Sequence, residues 1–165
     1  MATNVKEGAL SVIYDPTRTQ VLLVQRQDVP VWVLPGGGID EGETPENAVC
    51  REVLEETGLQ VEIVRKVAEY LPTNSLTKSA HFFECKMVGG SLISATSETR
   101  ACGFHPLTDL PRDFFFIHKD FLKDALSGNA PQRKKLNQVS YWNLTKYFFR
   151  HPWRVLRFGY TYLVK

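Results

Sequence analysis

Cysteine is scarce in this chain: Cys50, Cys85 and Cys102 stand far apart among 165 residues. They form no C-x-x-C pair, and an odd, scattered set suits a reducing compartment rather than a disulfide framework. Long apolar runs are missing too, since none approaches the roughly 18–20 residues that a spanning helix needs. No basic-plus-apolar leader follows Met1. These absences predict a cytoplasmic protein. There is no internal repeat and no low-complexity segment, which excludes solenoids and disordered linkers as the main architecture. Acidic residues are absent from Leu126 to Lys165, where eight Lys or Arg and nine of the 19 aromatic residues fall. Residues 1–125 carry 12 basic and 18 acidic residues. The chain is thus an acidic body with a basic, aromatic end, a split that points to a partner for that end.

What is present fits one ordinary domain with a core that needs no staples. Apolar residues make up 43% and charged residues 23%, a soluble globular balance. Strands are predicted over Glu7–Tyr14, Gln20–Gln25, Val31–Leu34, Leu59–Leu71, Ser79–Val88 and Arg100–Pro106, with a turn at Asp15-Pro16-Thr17. Pro35-Gly36-Gly37-Gly38 reads as a stretch with little side chain and much backbone freedom. Thr44 as N-cap, Pro45 at the first helical position and Gly58 just past the end mark a helix over Pro45–Thr57. A second helical pattern covers Ile117–Leu126. Ser127 to Pro131 is the linker candidate, and Val139–Arg150 has the pattern of a last helix stopped by His151-Pro152. Strands and helices mix without strict alternation, so the fold class is α+β. The division expected is a domain over 1–126 and an extension over 127–165.

The first helix is the candidate for the chemistry. With 100° between residues, Glu52, Glu55 and Glu56 share about 100° of arc, while Val49, Cys50, Val53 and Leu54 form an apolar face for docking on a sheet. Three carboxylates on one face repel one another by about 0.2–0.5 kcal/mol per pair. Arg51 offsets part of that through Glu55, and a divalent cation would offset far more, because Mg²⁺ takes carboxylate and phosphate oxygens. The plain alternative is a solvated acidic face without a ligand.

The neighbouring residues decide between these. Gly37 to Leu59 reads GGIDEGETPENAVCREVLEETGL. This resembles the signature box of the Nudix hydrolases, G-x5-E-x7-R-E-U-x-E-E-x-G-U, with U an aliphatic residue. Gly37, Glu43, Arg51, Glu52, Glu55, Glu56 and Gly58 stand at the fixed positions, and Val53 and Leu59 at the aliphatic ones. Chance agreement at the fixed positions is on the order of 10⁻⁹ per starting point at ordinary residue usage. The resemblance implies a Nudix-like αβα sandwich with a mixed β-sheet. It also implies metal-dependent hydrolysis of a pyrophosphate linkage, with Mg²⁺ or Mn²⁺ as cofactor.

Residue roles follow from the resemblance position by position. Glu52 and Glu56 would be the principal metal ligands, Glu55 a ligand directly or through water, and the Gly36 carbonyl a further ligand. Arg51 and Glu43 would orient the carboxylates. Gly37 and Gly38 would lie against the substrate. Glu98 falls where relatives often place a metal-binding or base-like Glu, its plain alternative being a loop residue. Arg26 is a candidate clamp for a substrate phosphate, with a surface arginine as the alternative. Trp32 reads as core rather than as a base-stacking platform, and His81, His105 and His118 as structural. The substrate implied is a nucleoside diphosphate linked to another group: a dinucleoside polyphosphate, a nucleoside triphosphate, ADP-ribose or a nucleotide sugar. The competing class is a Nudix-like sensor that binds nucleotides without hydrolysis. For residues 127–165 the expectations are packing on the domain or on a second copy in a homodimer, then an anionic membrane surface, then RNA.

Overall fold

The computed structural model describes residues 7–74, 78–129 and 131–136. Within them the chain runs β1 (Gly8–Ile13), β2 (Gln20–Arg26), β3 (Trp32–Val33), β4 (Gly36–Gly38), α1 (Pro45–Thr57), β5 (Leu59–Leu71), β6 (Ala80–Gly90), β7 (Thr99–Pro106), α2 (Phe116–Leu126) and β8 (Gln132–Lys135). Two sheets form. The larger has the order β4-β1-β6-β5-β8, and the smaller the order β3-β2-β7. The larger sheet is mixed: β1 runs parallel to β6, whereas β5 and β6 are antiparallel. None of the helices among the described residues is long and apolar enough to cross a membrane.

Strand alternation sorts the core into two layers. Ala9 and Ile13 of β1, Leu22 of β2 and Phe83 and Cys85 of β6 pack with Ala48, Val49 and Val53 of α1. The alternate residues Val12, Tyr14, Val21, Leu23 and Phe82 pack with Phe121, Leu122 and Ala125 of α2. The helices therefore cover opposite faces of the sheets, the expected αβα sandwich. Val49 and Val53 are fully buried, each worth about 1.5–3 kcal/mol. The buried face of α1 is shifted from the sequence expectation. Leu54 is 46% exposed, while Ala48 and Thr57 are buried. Thr57 can be buried because its hydroxyl donates to the Val53 carbonyl at 2.6 Å and accepts from the Leu59 N–H at 3.2 Å.

The helix ends are as the sequence indicates. Thr44 Oγ1 accepts from the Asn47 N–H at 3.2 Å, and Gly58 has a φ of 77° with its N–H on the Leu54 carbonyl. Other elements differ. Gly36–Gly38, expected as a flexible stretch, is an edge strand antiparallel to β1, with Leu10 opposite Gly36 and Gly8 opposite Gly38. Glycine is required at its start: Gly36 has a φ of 144°, and a Cβ there would stand 2.2 Å from the Ala9 carbonyl oxygen. The β3 strand shortens to Trp32–Val33, because Leu34 and Pro35 carry the chain from the smaller sheet to the larger. A strand not foreseen, β8, lies within the stretch expected as an extension and runs parallel to β5, pairing Ala68 with Gln132 and Leu71 with Lys135. Leu136 after it is buried in the α2-side core. The helix expected at Val139–Arg150 falls outside the described residues.

Candidate active site

Because α1 turns Val49 and Val53 into the core, Arg51, Glu52 and Glu56 reach the glycine strand β4, with Glu55 exposed beside Arg51. Arg51 is the hub. Its Nε and Nη2 donate to both Glu43 oxygens at 3.0 and 2.8 Å. Its Nη1 donates to Glu52 at 3.0 Å and to Glu55 at 3.2 Å. Its Nη2 also reaches the Gly38 carbonyl at 3.0 Å. One planar guanidinium thus ties three carboxylates to the glycine strand. These partners, Glu43 first, raise the Arg51 pKa further above the ordinary arginine value. The Arg51 hydrogen bonds hold Glu43 below the usual carboxylate range.

Glu52 and Glu56 are the crowded pair. Burial raises the Glu52 pKa against the pull of Arg51, and the charges of Glu55 and Glu98 add to the rise. Its carboxylate lies directly on Gly37, where a Cβ would stand 2.3 Å from the carboxyl carbon. Any side chain at that position would push the carboxylate aside. Glu56 accepts a hydrogen bond from the Gly36 N–H at 2.9 Å. Burial nevertheless pushes its carboxyl up to about 8, with Glu52 and Glu98 adding to the rise and Arg26 opposing it.

The remaining predicted residues gather at the same place. Glu98 lies exposed just before β7, with its carbonyl accepting from the Gln27 N–H at 2.8 Å. Its charge acts on Glu52, Glu56 and Arg26, so the fold brings it to the acidic helix across a gap of 42 positions in sequence. Arg26 is held in a fork by Asp28, at 2.8 and 2.5 Å. Asp28 is not among the candidates named from the sequence, although its i+2 spacing from Arg26 is a usable signal. Trp32 is partly buried against the α2-side core and meets His105 edge-on at a ring distance of 4.5 Å. His81 sits between Lys66 and Glu7. His118 accepts the Leu34 N–H on Nδ1 at 2.9 Å.

Among the described residues, no three His, Cys, Asp or Glu groups converge closely enough to grip an ion as they stand. Arg51 holds Glu52 and Glu55, and the Gly36 N–H holds Glu56. The chemistry of the set still fits a hard divalent cation. All its donors are oxygens, and the two inner carboxyls resist ionisation because burial and like charge oppose it. A cation between them would remove that opposition.

The chain is similar to several known proteins. The family model described as NUDIX domain matches residues 6–125. A provisional 8-oxo-dGTP diphosphatase of Bacillus subtilis is 38% identical over 93 residues, which are 56% of this chain and 61% of that protein. An RNA pyrophosphohydrolase of Helicobacter pylori is 33% identical over 127 residues, 73% of this chain and 79% of that protein. Among solved structures, an ADP-ribose pyrophosphatase of Streptococcus suis superposes with a TM-score of 0.64 at 31% identity, covering 80% of this chain and 99% of that one. The chain belongs to the NUDIX domain family of hydrolases.

Proposed function

We propose that the protein hydrolyses the pyrophosphate linkage of a nucleoside diphosphate joined to a second group, with Mg²⁺ or Mn²⁺ held on α1. One observation carries this reading: α1 sets its carboxylates against the glycine strand, Glu52 lying on Gly37 and Glu56 accepting from the Gly36 N–H, with Arg51 bonded to Glu52 and Glu55 beside them. A divalent ion bound there would supply charge to neutralise the phosphates and to acidify a water. Glu52 and Glu56 would hold it, with Glu55, Glu98 and the Gly36 carbonyl as further ligands. Arg51 and Glu43 keep the row aligned. The Arg26 guanidinium, already fixed by Asp28, faces the substrate phosphates. Gly38, where a Cβ would meet nothing within 4 Å, would offer open backbone to the same groups, whereas Gly37 is covered by the Glu52 carboxylate.

Water attacks phosphorus in line, and its proton passes to Glu52, Glu55 or Glu98. The phosphorus–oxygen bond to the leaving phosphate breaks. The products are a nucleoside monophosphate and the phosphorylated second group, or pyrophosphate when a triphosphate is the substrate. For residues 127–165, the aromatic content favours contact with the domain or with a second copy of it. Flotation on anionic vesicles, or RNA retention, that disappears with those residues would overturn that assignment.

The test is a panel of dinucleoside polyphosphates, nucleoside triphosphates, ADP-ribose and nucleotide sugars with Mg²⁺ and Mn²⁺, reading released monophosphate, phosphate and pyrophosphate. Cleavage that requires metal, and that falls at least 100-fold in Glu56→Gln with the fold retained, is expected. Nucleotide binding without turnover across the panel would replace the enzyme by a sensor.

A further inference from the structure

We propose that His118 is a positioning residue for the acidic site, acting on Glu56 through the backbone of Leu34–Gly36, a role that presupposes the hydrolase reading above. Leu34 and Pro35 lie outside both β3 and β4, so the Leu34 N–H has no place in either ladder. Leu34 is fully buried, which makes an unmet N–H costly. His118, 84 positions away on α2, supplies the acceptor at 2.9 Å.

The next two residues are pinned from other directions. The Pro35 carbonyl accepts from the Ser11 N–H at 2.8 Å and from its hydroxyl at 3.2 Å. The Gly36 N–H donates to Glu56 at 2.9 Å. Three consecutive residues are therefore fastened to α2, β1 and α1 in turn. The segment sets where the Gly36 N–H meets the most deeply placed carboxylate of the site. Its first fastening is His118. The start of α2 is itself laced to β3, since the Trp32 N–H donates to the Asp113 carbonyl at 3.1 Å and the Phe115 N–H donates to the Trp32 carbonyl at 2.8 Å. The imidazole is consequently carried on a fixed base.

The ring is equipped to remain an acceptor. Phe115 and Phe121 flank it at ring distances of 5.5 and 5.4 Å. It stands in the first turn of α2, where the helix dipole disfavours a cation. Burial, aided by the Arg26 charge, takes its pKa down to about 3. At working pH it is neutral, with the proton on Nε2 and Nδ1 free to accept.

A histidine that only fills the core would affect stability alone, and the following experiment separates the two roles. In the metal-free full-length chain, amide hydrogen exchange is measured at Gly36 and along α1 for wild type, His118→Leu and His118→Asn, where the asparagine oxygen takes the place of Nδ1. Mn²⁺ affinity and turnover of the panel substrate are measured on the same proteins. The expected result for His118→Leu is about 10-fold less protection at Gly36 with α1 unchanged, and about 10-fold weaker Mn²⁺ binding. His118→Asn should stay within about threefold of wild type. Unchanged Gly36 protection in His118→Leu, or a loss spread evenly over all amides, overturns the proposal. Should His118→Leu not fold, His118→Phe, a flat ring without the acceptor for the Leu34 N–H, takes its place. Unaltered Gly36 protection there has the same meaning. A wild type that neither binds Mn²⁺ nor turns over any panel member would end the hydrolase reading, while the exchange data would still decide whether His118 positions Gly36.

Discussion

Removing the Glu56 charge should change how the metal-free protein responds to pH. In the folded chain burial pushes this carboxyl from its ordinary 4.5 up to about 8. Between pH 6.5 and 8.5 the unfolded chain has already lost the proton, and the folded chain loses it within the window. The folded state binds more protons, so stability falls as pH rises. Integrating across the window gives a loss of about 2 kcal/mol, or about 4–8 °C in Tm for a chain of this size. Glu52, also raised, acts in the same direction. His118 is depressed, so its contribution is present above its ordinary 6.5 and disappears toward acid, mostly below this window. Thermal melts of wild type and Glu56→Gln in EDTA at half-unit pH steps measure the effect directly. The wild-type Tm should fall against the variant across the window, and saturating Mg²⁺ should remove most of the difference. Parallel curves would refute the claim that Glu56 is held in a poorly solvated, like-charged place, and with it the main argument for a cation there.

Three other outcomes follow from particular contacts. Glu84 is buried and bridges Arg18 at 2.7 Å and Arg65 at 2.8 Å. Because both arginines are partly solvated, Glu84→Gln should cost about 2 kcal/mol by urea denaturation rather than the larger loss of a fully buried pair. A change within the error of the titration would show the bridge to be idle. Gly36→Ala must fit a Cβ 2.2 Å from the Ala9 carbonyl oxygen at a φ of 144°, so a loss of at least about 3 kcal/mol is expected, read as a drop in the urea midpoint. A chain ending at Leu126 lacks β8, the buried Leu136 and the Thr73 hydroxyl bond to the Leu136 carbonyl. It should be less stable than one ending at Leu136 by about 2 kcal/mol, and equal midpoints would place the end of the folding unit at 126 after all.

How much of this was legible in the sequence depends on how far apart the cooperating residues lie. The helix α1 and its acidic face were readable, because capping residues, helical spacing and the box all fall within 23 positions of one another. The glycine stretch was readable as permissive backbone but not as a strand. Its pairing with β1 depends on Ala9 and Leu10, some 26 positions earlier, and three glycines carry no alternation to reveal an edge strand. Strand β8 was hidden for a different reason: QRKK has neither β-branched residues nor apolar alternation, and only its parallel pairing with β5 makes it a strand. His118 was the hardest case. Read beside Phe116, Ile117 and Phe121 it is simply a polar residue on an apolar helix. Its meaning comes from an N–H left over where the chain crosses from one sheet to the other, and no spacing in the sequence encodes that leftover donor. Residues proposed to meet the substrate stand out through charge and local pattern. Residues that hold them in place are selected by gaps in the backbone hydrogen bonding, which exist only once the sheets have formed.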